Sequence, residues 1–190
     1  MPGFVRIDHS RFGEHLIKKT LLLIVVVVAA ILGYATTKPD TFSVQREITI
    51  KAPPEKIAGL ITDFHYWAAW SPWEKLDPAM RRTFTGPTSG QGAQYAWQGN
   101  DKVGAGRMEI TEATQPERTV IKLDFLKPFE SHNTTTFTMA PEGDSTKVNW
   151  TMTGPSPYVS KVMTVFVSMD RMIGKDFEKG LNNLKAAAER

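Results

Sequence analysis

The side chains best suited to acid–base chemistry lie in one short run, Asp63-Phe64-His65-Tyr66-Trp67-Ala68-Ala69-Trp70-Ser71-Pro72-Trp73. A carboxylate two residues from an imidazole can hold the ring in one tautomer, the arrangement a general base needs. The competing account of Asp63 is a carboxylate capping a helix end. His9 and His15 precede a long apolar stretch and fall on its other side, and His132 lies just after Pro128. No HxxxH or HExxH spacing occurs, so zinc has no sequence support. Gly86 to Gly92 lacks the Lys-Ser/Thr and the helix of a phosphate loop. GxSxG is absent, and Ser71 precedes proline as an element boundary rather than a nucleophile. The chain has no cysteine, which removes thiolate nucleophiles, disulfides and Cys-based metal sites together. No cofactor or metal is expected, and catalysis is not required by any of these residues.

Three tryptophans in seven residues carry a different chemistry. Trp67 and Trp70 fall on one helical face, with Trp73 close behind. Each ring buries a large apolar area and keeps one N–H donor. They read either as the rim or lid of an apolar pocket or as a cap on the end of a sheet.

Such rings need elements to hold them. From Phe42 the pattern has period two: Val44, Ile48 and Ile50 alternate with polar residues, as in a strand with one buried face. Pro53 and Pro54 end it, and Glu55 to Ile61 reads as a short helix with Pro54 at its first position. Alternation returns at Tyr95/Trp97, Met108/Ile110, Ile121/Leu123/Phe125, Thr135/Phe137/Met139 and Val148/Trp150/Met152. Turn residues separate these runs, which favours antiparallel neighbours joined by hairpins. Apolar residues then recur every three or four from Tyr158 to Leu184, predicting one amphipathic helix over about Pro157 to Ala188. Gly174 and Gly180 cost helix propensity and suggest places where backbone or ligand comes close. The predicted fold is α+β: a curved antiparallel sheet of six or seven strands wrapped around a long C-terminal helix.

The run Asp63-Phe64…Trp67…Trp70-Ser71-Pro72-Trp73 resembles the START-like superfamily of polyketide cyclases and lipid-transfer proteins, and more narrowly membrane-anchored bacterial SRPBCC proteins. Gly90-Gln91-Gly92, Tyr95 to Asn100, Val103 to Gly106, Thr146 to Met152 and Asp176 to Leu181 also fit. The likeness covers Phe42 to the end of the chain. It implies the helix-grip fold and a cavity for a hydrophobic ligand. On that basis Tyr95, Trp97, Met108, Phe125, Phe137, Trp150 and Met152 would line the sheet side. Met163, Phe166 and Met169 would oppose them from the helix, and Trp67, Trp70 and Trp73 would complete the pocket. Candidate polar anchors are Arg107, Glu109, Asn149 and Asp170, although alternation puts the first three on the outer face.

Between Lys19 and Lys38 there is no charge, and the core reads Leu21 to Leu32 without interruption. Residues 20–37 can span a bilayer with little to spare, since a span takes roughly 20 mostly apolar residues, with a range of about 17–25. Lys18 and Lys19 at the front edge predict a cytoplasmic tail (1–19) and a domain outside the cytoplasm; the resemblance to bacterial members implies the bacterial inner membrane, with the domain periplasmic or extracytoplasmic. Residues 38–41 form the linker and 42–190 the domain. The alternative is a cleaved signal peptide, for which Gly33-Tyr34-Ala35 offers small residues at a cleavage spacing. The net charge of +3 is too small to point to nucleic acid. The leading expectation is a membrane-anchored module holding a lipid or other apolar molecule. The alternatives are a cyclase- or hydrolase-like enzyme, which needs Asp63, His65 or Asp170 to reach the cavity, and a co-chaperone-type adaptor, which needs an exposed patch at the tryptophans.

Overall fold

A computed structural model describes residues 9–190, with side chains from His15 onward. Met1 to Asp8, the first part of the expected tail, lie outside the described residues, as do the side chains of Arg11 and Glu14.

The first helix, α1 (His9–Ala35), contains a 21-residue stretch, His15–Ala35, long and apolar enough to cross a membrane. It begins earlier than the expected span and ends two residues before residue 37. The hydroxyls of Thr36 and Thr37 donate to the carbonyls of Gly33 and Tyr34, satisfying groups that a further helical turn would have used. The connection to the sheet is then short, because β1 (Thr41–Ile50) starts directly after Asp40.

Next come α2 (Pro54–Thr62), led by proline at its first turn, and α3 (Trp67–Trp70) between two helical turns at Phe64–Tyr66 and Pro72–Lys75. Six strands follow: β2 (Arg81–Thr85), β3 (Gln94–Gln98), β4 (Ala105–Thr114), β5 (Arg118–Lys127), β6 (Ser131–Glu142) and β7 (Ser145–Pro155). The sheet order is β1-β7-β6-β5-β4-β3-β2, and every neighbouring pair is antiparallel. The seventh strand, β2, has no clean alternation, which is why its sequence reads only as part of a polar middle. Register shifts in β4 at Ala105/Gly106 and Ile110/Glu112 add local twist and help the sheet curl. Gly106 also gives the Trp97 ring its place, since a Cβ there would run into it.

The C-terminal segment is two helices rather than one. Helix α4 (Tyr158–Thr164) stops, and α5 (Met169–Ala188) starts after Ser168, whose extended backbone and hydroxyl cap the N–H of Arg171 at 3.3 Å. Apolar spacing alone cannot register such a break, because Val162, Val165, Phe166 and Met169 keep the helical period across it. Helix α5, about 30 Å long by its 20 residues, packs across β1 and against α3. Arg46 of β1 fastens it, with Nη1 and Nη2 donating to Asp170 and Nε donating to Glu178 at 2.7 Å. Gly174 leaves the room that the guanidinium occupies.

Candidate functional site: an aromatic cavity between sheet and helix

The inner positions of the strands converge on Trp150. Its ring stacks on Phe177 of α5 at 4.1 Å and on Phe137 at 4.9 Å, and Trp70 and Trp73 meet it edge-on. Gly180 faces this ring, and an added Cβ would sit 2.8 Å from it. What comes close at Gly174 and Gly180 is therefore neither backbone nor ligand but the side chains of Arg46 and Trp150.

The core does not fill the space between the concave sheet and α5. A cavity of about 400 Å³ remains. Trp67 and Trp73 line it from the helical turns after α2, and Tyr95, Trp97, Met108, Phe125, Trp150 and Met152 line it from the strands. Helix α5 closes it with Met169, Ile173 and Phe177. The exposed lining residues, Asp101, Lys102, Lys127, Pro128 and Phe129, belong to the β3–β4 connection, the last position of β5 and the β5–β6 connection, so the mouth lies there.

Nine of the thirteen residues singled out from the sequence thus face one cavity, and four do not. Trp70 and Phe137 are fully buried behind the wall, supporting Trp150 rather than the open space. Met163 and Phe166 are exposed, because the break before Ser168 carries α4 away from the sheet. The tryptophan cluster is not an external rim either. Trp67 and Trp70 are buried, and their indole N–H groups donate to the carbonyls of Ile61 and Leu60 at 2.9 Å. These bonds pin α3 onto the end of α2, so the two rings act as core.

The proposed acid–base residues lie elsewhere. Asp63 accepts from the backbone N–H of His65 and pairs with its Nδ1 at 2.7 Å, and the His65 ring stacks on Phe84 near the surface. Asp170 is bound to Arg46, which holds its carboxyl below the usual carboxylate range. None of these three side chains lines the cavity.

The polar groups that do line it were not anticipated. The carboxylate of Glu74, in the turn after Pro72, accepts from the Tyr95 hydroxyl at 2.6 Å and from Arg82 Nε at 2.7 Å. Arg82 also donates to the Glu74 carbonyl. Burial, then the hydrogen bond to Glu74, pushes the Tyr95 phenol well above its ordinary value. The available signal was Tyr95 itself: a tyrosine on an inner strand position needs a partner for its hydroxyl. Asn133, Thr135 and Ser131 form a second polar strip on β6. Asn133 Nδ2 donates to Ser131 Oγ, and Thr135 Oγ1 accepts from the Trp150 indole at 3.3 Å. Period-two reading places Asn133 and Thr135 on the inner face, yet a lone Asn on a strand does not announce an inward side chain. On the outer face, burial works to raise the Asp124 carboxyl. Hydrogen bonds from His132 and Arg107 and the charge of Lys122 nevertheless hold it below the carboxylate range.

The match to known proteins concerns the same part of the chain. The family model described as polyketide cyclase / dehydrase and lipid transport matches residues 41–189. Among solved structures, the chain superposes on a protein of Chromobacterium violaceum with a TM-score of 0.55 and 16% identity, over 80% of this chain and 99% of that one. The di-domain ARO/CYC BexL from the BE-7585A biosynthetic pathway gives 0.59 and 15%, over 95% of this chain and 60% of that one. The Aha1 dimer from Colwellia psychrerythraea gives 0.52 and 19%, over 78% and 96%. At such identities these likenesses speak to the helix-grip fold alone. No curated protein matches the chain at a significant level.

Proposed function

The chain belongs to the polyketide cyclase/dehydrase and lipid transport family, and from that premise we propose that it is a membrane-anchored module that holds one hydrophobic molecule between its sheet and α5. The observation that carries the reading is the cavity of about 400 Å³, walled by aromatic and methionine side chains and sparing in polar groups. That size falls within the usual range for small-molecule sites, roughly 300–1,000 Å³. Methionines at 108, 152 and 169 give the wall flexible, polarizable surfaces that adapt to irregular shapes. At about 0.8 kcal/mol per buried methylene, set against an association cost of roughly 4–15 kcal/mol, a ligand needs on the order of a dozen buried carbons. The Glu74–Tyr95 pair and Asn133 would orient its polar end.

Helix α1 serves in this reading as an uncleaved anchor. Residues 1–19 lie in the cytoplasm, and the domain from residue 42 onward stands outside the bacterial inner membrane. Lys18 and Lys19 ahead of the apolar stretch support that orientation. The burial of Ala35 against the domain supports a helix that stays attached rather than one removed at that residue.

Native mass spectrometry of the full chain, released from membranes in mild detergent and followed by lipid extraction, tests both halves. The expected result is an intact N-terminus and an apolar adduct. Protein that stays empty when offered apolar molecules of this size refutes the binding reading, and a mature chain beginning after Ala35 refutes the anchor.

A further inference from the structure

The apolar residues of α4 and of the turn that follows it find no place in the core. Val159 is 72% exposed, Phe166 is 65% exposed, and Met163 and Val167 are also open. Val159, Met163 and Phe166 are spaced by four and three, and backbone bonds from Phe166 and Val167 to the Met163 carbonyl continue the helical turn. They therefore share one face. Phe129, 79% exposed at the cavity mouth, is a further uncovered ring. An open apolar surface of this kind marks an interaction site.

What covers it follows from where α4 is tied. The Tyr158 hydroxyl donates to the carbonyl of Leu32 at 3.0 Å, and Lys161 Nζ pairs with Asp40 at 2.5 Å. Leu32 belongs to the apolar stretch of α1, three residues before its end, or about 5 Å along the axis. The uncovered face of α4 is thus continuous with the outward apolar surface of α1. An interfacial helix buries its apolar side about 5–10 Å into the headgroup boundary, the same depth.

The cavity mouth faces the same way. β1 begins at Thr41, just past α1, and is paired there with the end of β7 at Pro155. The end of β5, the start of β4 and the end of β3 share that edge of the sheet, through the pairs Ala105–Lys127 and Gln98–Ala105. Their connections carry the exposed lining residues, Phe129 among them.

We propose that α4 and residues 165–168, together with Phe129, form a second contact with the bilayer surface that holds the cavity mouth against the lipid. This rests on the reading of α1 as a membrane span. Its consequence is a route by which an apolar molecule passes between bilayer and cavity without crossing water.

The chain has no cysteine, so single labelling sites can be introduced without background. Val26→Cys reports the span, Phe166→Cys and Phe129→Cys the proposed contact, and Asp144→Cys the far end of the sheet. Each full-length variant is labelled with an environment-sensitive fluorophore, reconstituted in phosphatidylcholine–phosphatidylglycerol vesicles, and quenched with doxyl-labelled lipids. Loss of fluorescence is expected at 26, 166 and 129, with deep quenchers acting at 26 and shallow ones at 166 and 129, and none at 144. Quenching at 26 with none at 166 and 129 overturns the second contact and leaves the anchor intact. No quenching at 26 overturns the anchor and this inference with it. Met163→Asp combined with Phe166→Asp alters only exposed positions. It should slow uptake of cis-parinaric acid, a fluorescent apolar probe carried in the same vesicles, relative to the unsubstituted chain while the unfolding temperature holds, and an unchanged uptake rate counts against the proposal.

Discussion

Replacing Tyr95 by Phe removes one hydroxyl from the cavity wall and leaves the ring. The hydroxyl donates to a Glu74 oxygen at 2.6 Å, and the Glu74 side chain is only 7% exposed. Its other oxygen stays bound to Arg82, so the ion pair survives and one carboxylate oxygen loses its donor. Hydrogen bonds to charged groups contribute about 1.5–3 kcal/mol. For a chain of this size that corresponds to a fall of about 3–12 °C in the unfolding temperature, at roughly 2–4 °C per kcal/mol. The measurement is thermal unfolding of the full chain in detergent, followed by near-UV circular dichroism. The pH dependence supplies a second check. The folded-state value of the Tyr95 phenol is raised, so the stability it brings is fully present below the unfolded value of about 10 and declines as pH rises above it. The difference between wild type and variant should accordingly be flat from pH 6 to about 9 and shrink beyond that. A difference under about 0.5 kcal/mol at neutral pH refutes the reasoning, because it would mean the cavity rehydrates Glu74 at no cost.

Gly180→Ala puts a Cβ at 2.8 Å from Trp150 and 3.3 Å from Pro72. Overpacking of about 1–3 kcal/mol should outweigh the roughly 1 kcal/mol of helix propensity gained, giving a net loss in thermal unfolding. Asp124→Asn should cost about 1–3 kcal/mol at neutral pH. Because the Asp124 carboxyl is held low, its contribution is fully present above the ordinary carboxylate value of about 3.9 and is lost only as pH falls through the still lower folded value, so the stability difference between the two proteins should shrink steadily with acidification. Met152→Trp, directed into the cavity, should cut the apolar adduct seen by native mass spectrometry at least about tenfold, equivalent to 1.4 kcal/mol, while unfolding stays cooperative.

Strand faces were legible because period-two alternation reports burial directly. Val148, Trp150 and Met152 turn inward as their spacing requires, and so do Ile121 and Leu123. The helix break at residues 165–168 was hidden, since the apolar period runs through it and only the cap at Ser168 marks it. The tryptophan cluster was legible as apolar, but not which of its rings meet the cavity: Trp67 and Trp73 do and Trp70 does not, which depends on how α3 closes onto α2. Glu74 was invisible for a related reason. Its partners, Tyr95 and Arg82, lie on strands brought to it only by the fold. The mouth of the cavity, by contrast, follows from topology once β1 is known to start directly after α1.

Trp150 has one more consequence, an optical one. The chain has five tryptophans; Trp67, Trp73, Trp97 and Trp150 line the cavity, and Trp70 meets Trp150 edge-on at 5.6 Å. Every indole emitter in the molecule therefore borders the space a ligand would fill or touches a ring that does. Intrinsic fluorescence is then a readout of occupancy without any label: an apolar molecule filling the cavity changes the surroundings of these rings and shifts their emission, and rearrangement of the coupled rings changes the near-ultraviolet ellipticity. A library of apolar compounds can be titrated directly against the protein's own light.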